Sequence, residues 1–175
     1  MRKKSVLPGF QVRIFVKDMK ILLLVVGKTS TGFVRVGMEE YAGRINRFMP
    51  FEIKVIPDIK TTRKLTENAQ KEAEGIQILA QIQPTDHVVL LDEHGKEMTS
   101  REFSSFIEQK AQTVQKNMIF VVGGPYGFSQ AVYERANSLL SLSRMTFPHE
   151  LVRLFFTEQI YRAITISRNM PYHHD

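Results

Sequence analysis

A glycine-rich segment is the first part of the sequence whose residues could hold a ligand. Met118 to Val122 are uniformly apolar, and Gly123-Gly124-Pro125-Tyr126-Gly127 follow directly. Glycines after a buried strand let a ligand approach the backbone closely, and they also permit the positive φ angles of a sharp turn. The segment lacks the G-x-G-x-x-G and Walker A patterns. It therefore indicates either a tight turn before a helix or a site for a nucleoside-like ligand without a pyrophosphate.

A second group of chemistry-bearing residues follows another apolar run. Asp92, Glu93 and His94 come directly after Leu91. Three metal-ligand types in a row could suggest a metal site, but consecutive turn residues point in different directions, and no second cluster supplies further ligands at a usual spacing. The pattern favours a solvated turn, and we expect no metal.

Two histidine-containing segments lie near the C-terminus. His149 follows Pro148 at the predicted start of the last helix, where it could cap the helix, stack on a base or carry a proton. The chain ends with Tyr172-His173-His174-Asp175. Terminal residues are commonly frayed, but tyrosine and histidine together could also close over a base.

The elements that must position these residues alternate strand with helix. Apolar and β-branched runs predict strands over residues 21–26, 51–56, 88–91, 118–122 and 139–142. Helical patterns cover residues 33–48, 65–83, 100–115, 130–138 and 148–167. Uniformly apolar strands separated by helices indicate an α/β fold, with a mostly parallel sheet covered by helices on both faces. Since parallel strands end along one edge of their sheet, we expect the segments after residues 91, 122 and 142 to meet.

The sequence also predicts local features of two helices. Thr99 and Glu102 have the spacing of a capping box, which would start the third helix. In the last helix, helical spacing predicts core positions at Val152, Phe155, Phe156, Ile160, Ala163 and Ile164. Leu151, Leu154 and Tyr161 form a second apolar face, which suggests a subunit interface.

Composition limits the class of protein. The chain has 175 residues, 43% of them hydrophobic, and no cysteine, which excludes a disulfide scaffold and a cysteine nucleophile. No apolar run approaches the roughly 20 residues of a membrane span. Five of the 24 basic residues and one of the 18 acidic residues lie in residues 1–18, so the net charge of +6 falls to +2 for residues 19–175. We interpret residues 1–18 as a flexible N-terminal extension and residues 19–175 as a single domain.

Several segments together resemble the bacterial 23S rRNA pseudouridine N3-methyltransferases, a family of the SPOUT class. They are Met118 to Gly127, Ser141 to His149, Glu158 to Ala163, and Pro171-Tyr172-His173. The resemblance runs from Met19 to the C-terminus. It implies a C-terminal trefoil knot, a homodimer, a cytoplasmic enzyme without a membrane partner, and a substrate within the 23S rRNA of the assembled ribosome.

The resemblance also implies S-adenosylmethionine (SAM) as the cofactor and no metal. The cofactor residues would be Leu91, Gly123, Leu142, Ser143, Arg144, Met145, Thr146 and Phe147. The candidate catalytic residues are His173 as a base or orienting group, Tyr172 as a stacking or hydrogen-bonding partner, and Arg144. Alternatively, the target base loses its proton to solvent and the C-terminal tail only orients it. The candidate RNA contacts are His149, Arg153 and His174, with Arg144 as a further phosphate contact.

Two other functions fit parts of the sequence. A non-catalytic RNA-binding module would use the basic and aromatic residues, but it leaves the glycine-rich segment unexplained. A nicotinamide-dependent oxidoreductase would need a phosphate-binding fingerprint and a ribose-binding acidic residue at the expected distance after the first strand, and the sequence has neither.

Overall fold

The computed structural model describes residues 19–59, 65–114 and 116–173. The strands are β1 (Lys20–Val26), β2 (Phe51–Ile56), β3 (His87–Glu97), β4 (Asn117–Val122) and β5 (Ser138–Ser141). The helices are α1 (Gly32–Ile45), α2 (Glu67–Leu79), α3 (Ser100–Thr113), α4 (Gln130–Arg135) and α5 (His149–Ser167). The predicted strands and helices are therefore confirmed in order and type, with shorter helices than the pattern indicated. Residues 1–18 and His174 lie outside the described residues.

All strands pair in parallel, in the order β2-β1-β4-β3-β5. Side chains of β1 alternate between two cores, with Leu23 in one and Leu24 in the other. The first core contains residues of α1, α3 and α5, and the second contains residues of α2 and α4. The predicted α/β architecture with helices on both faces is confirmed. Within the described chain, the search for a helix long and apolar enough to span a bilayer found none.

Strand β3 differs from its prediction. The expected solvated turn at residues 92–94 does not end the strand, because Leu140 of β5 pairs with both Leu91 and Lys96, and residues 92–95 form a bulge between those pairings. Gly95 permits this pairing, since a Cβ there would lie 2.5 Å from the backbone N and C of Leu140. Glu93 and His94 are exposed, as the prediction of a turn required.

Helix α5 is more enclosed than its sequence suggested. Its second apolar face packs on α1, where Leu154 fills the space beside Gly37 and Tyr161 lies 5.9 Å from the ring of Tyr41. Phe155, by contrast, is 44% exposed, so the prediction that it belongs to the core is wrong. It instead contacts Phe147 of the preceding loop, with 5.4 Å between ring centroids.

The capping box of α3 is confirmed. The Thr99 hydroxyl accepts from the backbone N–H of Glu102, whose carboxylate accepts in turn from the backbone N–H of Thr99. These hydrogen bonds lower the pKa of the Glu102 carboxyl. The helix therefore begins directly after the β3 bulge.

Candidate active site

Residues 91–93 at the β3 bulge and the carboxyl ends of β4 and β5 meet around a cavity of about 430 Å³. The structure therefore confirms that the segments after residues 91, 122 and 142 meet. The expected cofactor residues that line the cavity are Leu91, Gly123, Leu142, Ser143, Met145, Thr146 and Phe147. Arg144 is exposed and does not line it. His149 and Val152 close the cavity from the first turn of α5.

The glycine-rich segment forms both a tight turn and a cavity wall. Gly124 and Gly127 are joined by an isolated β-bridge, with a hydrogen bond of 3.2 Å from the Gly127 N–H to the Gly124 carbonyl. Gly127 has a φ of +80°, a conformation in which other residues are strained. A Cβ on Gly123 would lie 3.0 Å from the ring of Phe128. The tight turn is therefore confirmed, and the segment also lines the cavity, while ligand binding there stays a prediction.

The β5–α5 loop forms the opposite wall. The Ser143 hydroxyl accepts from the Met145 N–H at 3.0 Å, and the Ser141 hydroxyl donates to the Ser143 carbonyl at 3.0 Å. These bonds fix the loop, while Met145 stays 73% exposed at its tip. Leu142 and Phe147 add apolar surface to the cavity. The site thus combines apolar walls with a few polar groups, as small-molecule sites usually do.

Asp92 is a cavity residue held by two donors. The Tyr133 hydroxyl donates to its Oδ2 at 2.6 Å, and the His94 N–H donates to its Oδ1 at 2.9 Å. Burial and the hydrogen bond to Asp92 raise the pKa of Tyr133 well above its usual value. The sequence pattern at residues 92–94 indicated a solvated turn, and nothing in it indicated Tyr133 as a partner of Asp92. In the described parts of the chain, no group of three or more metal-ligand side chains lies together.

Arg153 has a different role from the one predicted. Its side chain is fully buried, and its guanidinium donates to the carbonyls of Val26 (2.5 Å) and Gly27 (2.9 Å) and to Thr29 Oγ1 (2.9 Å). The hypothesis that it contacts RNA phosphate is therefore wrong. A signal for burial was present in the sequence, because residue 153 precedes the buried Phe156 by three positions and so shares its face of the helix.

Glu150 reinforces this connection between α5 and the loop after β1. Its carboxylate accepts from the backbone N–H groups of Ser30 and Thr31, both at 2.9 Å, and from the Ser30 hydroxyl at 2.7 Å. Hydrogen bonds from Thr31 and Ser30 lower the pKa of Glu150 to about 2. The start of α5, which carries His149 into the cavity wall, is thereby fixed to the sheet.

Tyr172 and His173, the last described residues, do not line the cavity of their own chain. Tyr172 donates to Glu158 at 3.0 Å and lies 3.1 Å from the Tyr41 hydroxyl. His173 Nδ1 lies 3.2 Å from Nη1 of Arg162. The other terminal nitrogen of this guanidinium, Nη2, pairs with the Glu158 carboxylate at 2.5 Å. Helix α5 has 19 residues, or about 28 Å at the usual rise, and its first turn lines the cavity. Within a single chain, Tyr172 and His173 therefore pack beside the later turns of α5.

Known proteins with similar sequences identify the family. Residues 19–173 match the family model described as "Predicted SPOUT methyltransferase". The chain belongs to the SPOUT methyltransferase family. Among relatives of this SPOUT methyltransferase is the "Ribosomal RNA large subunit methyltransferase H" of Parabacteroides distasonis, 55% identical over 90% of this chain and 100% of the relative. Proteins of the same name from Porphyromonas gingivalis and Bacteroides thetaiotaomicron are 53% and 51% identical, with the same coverage of both chains.

Membership of the SPOUT methyltransferases makes the chain an enzyme. This result overturns the alternatives of a non-catalytic RNA-binding module and of a nicotinamide-dependent oxidoreductase. It also fits the cavity, because a methyltransferase needs a site for a small methyl donor beside the surface that receives its substrate.

The glycine turn gives a first test of the cavity in this SPOUT methyltransferase. A Cβ on Gly124 would lie 2.4 Å from the carboxylate of Glu74, which is buried on α2. We expect Gly124→Ala to lower the affinity for SAM about tenfold, because overpacking of this kind costs about 1–3 kcal/mol and displaces the turn. Isothermal titration calorimetry measures the effect.

A compensating change in the same chain serves as the control. Glu74→Ala removes the colliding carboxylate, so the Glu74→Ala/Gly124→Ala double variant should recover most of the affinity. If Gly124→Ala alone binds SAM as the unmodified chain does, the turn is not part of the binding site.

Proposed function

We propose that the chain transfers a methyl group from SAM to N3 of a pseudouridine in the 23S rRNA of the assembled ribosome, in the cytoplasm. The cavity supports this proposal, because it brings Leu91, Gly123 and the β5–α5 loop together. The relatives support the substrate class, since their name specifies the RNA of the large ribosomal subunit.

The cavity residues suit SAM. Gly123 has no Cβ and leaves its backbone open to close approach. Leu91, Leu142 and Phe147 offer apolar surface to an adenine ring, and main-chain groups of residues 142–147 can bind its polar edge. When bound, SAM supplies a methyl group on a positively charged sulfur. We further propose that the C-terminal part is threaded as a trefoil knot, which the meeting of the three segments at one edge of the sheet supports.

Methyl transfer requires the enzyme to position the base and to manage one proton. N3 of the base is protonated at the start, so this proton must leave before or during attack. We assign to His173 either the removal of this N3 proton or the orientation of the target base. We assign to Tyr172 stacking on the ring of that base. Arg144 and His149, exposed beside the cavity, are proposed to contact the RNA, together with His174.

The site is proposed to form between two copies of the chain. In one chain His173 packs beside Arg162, so a second copy is needed to bring His173 to the cavity. Helix α1 presents Phe33 and Val36 at 67% and 61% exposure, an apolar surface that a homodimer would cover.

The charge distribution fits a ribosomal substrate. Residues 19–175 carry only +2, which suits recognition of an extended ribosomal surface better than binding to any RNA through phosphate contacts alone. Affinity for free RNA should then be weak compared with affinity for ribosomal particles.

Two measurements test the proposal together. Calorimetry should detect one SAM site per chain, and mass spectrometry of rRNA from a strain without this gene should detect the loss of one methyl group on a pseudouridine. An unchanged rRNA mass spectrum would contradict the proposed substrate, and failure to bind SAM would contradict the proposed cofactor.

A further inference from the structure

Two acidic side chains and one histidine, His149, are the ionisable side chains that line the cavity among the described residues. Asp92 and Glu93 line it, while no lysine or arginine does so among the described residues. Arg144, on the adjoining loop, is exposed and outside the lining. A cavity of this charge favours a ligand with a net positive charge.

Of the two carboxylates, Asp92 is the one held in a fixed position. Each of its oxygens accepts a hydrogen bond, from the Tyr133 hydroxyl at 2.6 Å and from the His94 N–H at 2.9 Å. The Tyr133 ring is held in turn by Phe128, a buried cavity residue, at 5.7 Å between centroids. The side chain of Glu93 is 61% exposed and lies 3.6 Å from the His94 imidazole. Asp92 therefore presents a charge that is held at both oxygens, by the half-buried Tyr133 hydroxyl and by the backbone of its own bulge.

We propose that Asp92 is a specificity-determining residue that makes the cavity distinguish the cationic methyl donor from its neutral product. This inference rests on the proposed function. In the reaction the bond from N3 to the methyl carbon forms as the sulfur–methyl bond breaks, and the electron pair of the broken bond stays on sulfur. The proton of N3 leaves to a base or to water. The sulfur thus changes from a sulfonium to a thioether, and the bound cofactor loses one positive charge.

A fixed carboxylate in the cavity attracts the sulfonium form more strongly than the thioether form. This difference in attraction changes the ratio of SAM affinity to S-adenosylhomocysteine affinity, because the two molecules are otherwise identical apart from the methyl group. Asp92 would therefore favour loading of the methyl donor and release of the product, S-adenosylhomocysteine, after each transfer.

Calorimetric titrations of the full chain with SAM and with S-adenosylhomocysteine test this inference. Asp92→Asn keeps the shape of the side chain and removes its charge. We expect it to lower the ratio of SAM affinity to S-adenosylhomocysteine affinity about 5- to 10-fold, the effect of one charge at a partly screened distance. The matched control is Glu97→Gln, which removes one charge from an exposed position of the same strand outside the cavity and should leave the ratio within about twofold.

Salt dependence separates a charge effect from a change of shape. For the unmodified chain the ratio should fall as the NaCl concentration rises, and for Asp92→Asn it should depend less on salt. Tyr133→Phe removes one donor to Asp92 but keeps the charge, so it should shift the ratio in the same direction by a smaller factor. This second variant carries the test if Asp92→Asn does not fold.

The outcomes distinguish the inference from the proposed function. Equal losses of affinity for both ligands would overturn the inference, since Asp92 would then bind a group that the two share. An unchanged ratio in Asp92→Asn would also overturn it, while leaving SAM as the cofactor. If the unmodified chain binds neither ligand, the proposed function fails as well.

Discussion

Replacing His173 with alanine should lower the rate of methyl transfer about 100-fold or more, because general acid–base catalysis contributes factors of this size. SAM affinity should remain unchanged, since His173 is proposed to act on the RNA base, while Leu91, Gly123 and residues 142–147 are proposed to hold SAM. Single-turnover kinetics on ribosomal particles measure the rate, and calorimetry measures the affinity. An unchanged single-turnover rate with intact SAM binding would remove His173 from the mechanism.

A mixing experiment tests whether the tail acts on the second copy. One variant is His173→Ala, and the other is Gly123→Val, whose side chain would enter the space of the Phe128 ring. If the tail of one chain completes the cavity of the other, a mixed dimer has one intact site, and a 1:1 mixture should recover about a quarter of the unmodified activity. Each variant alone is the control. If the activity of the mixture is no greater than the sum of the activities of the two separate variants, the result would contradict a shared site.

Replacing Arg153 with methionine should destabilise the fold by about 3 kcal/mol. Methionine keeps the aliphatic volume but leaves the carbonyls of Val26 and Gly27 without their donor, and each unsatisfied buried group costs about 1–3 kcal/mol. For a domain of this size we expect the melting temperature to fall by about 6–12 °C. Urea denaturation and thermal melting monitored by circular dichroism measure both quantities.

Arg144→Met is the matched control for Arg153→Met. Arg144 is exposed beside the cavity, so its replacement should leave stability unchanged and weaken binding to ribosomal particles. If Arg153→Met melted like the unmodified chain but bound ribosomal particles more weakly, the phosphate contact first predicted for Arg153 would be correct after all.

Much of the fold follows from patterns that are local in sequence. Apolar strands and helical spacing gave the order of the elements, and Thr99 with Glu102 gave the start of α3. The meeting of Leu91 and Gly123 follows from the parallel sheet, because parallel strands end at a common edge. The same reasoning could not give the length of β3, since residues 92–95 bulge only through pairing with β5.

The remaining differences depend on distant neighbours. Helical spacing places Phe155 on an apolar helix, but only the position of the β5–α5 loop decides that it contacts Phe147 at the surface. A buried arginine requires acceptors, and those of Arg153 come from the other end of the chain. The position of the Asp92 carboxylate depends on the hydroxyl of Tyr133. Tyr133 lies on the short helix α4, which no sequence motif marks.

The hydrogen bonds that join Arg153 and Glu150 to residues 26–31 also affect how the chain folds during synthesis. The partners are separated by 119 to 127 positions in the sequence. Contacts at such separation slow folding, because a long loop must close before they form. During synthesis, β1 emerges from the ribosome long before α5. The carbonyls of Val26 and Gly27 therefore wait for their donor, Arg153 of α5. A nascent chain stopped before α5 would keep these groups hydrated, so the native contacts of residues 26–31 form only after α5 has been synthesised.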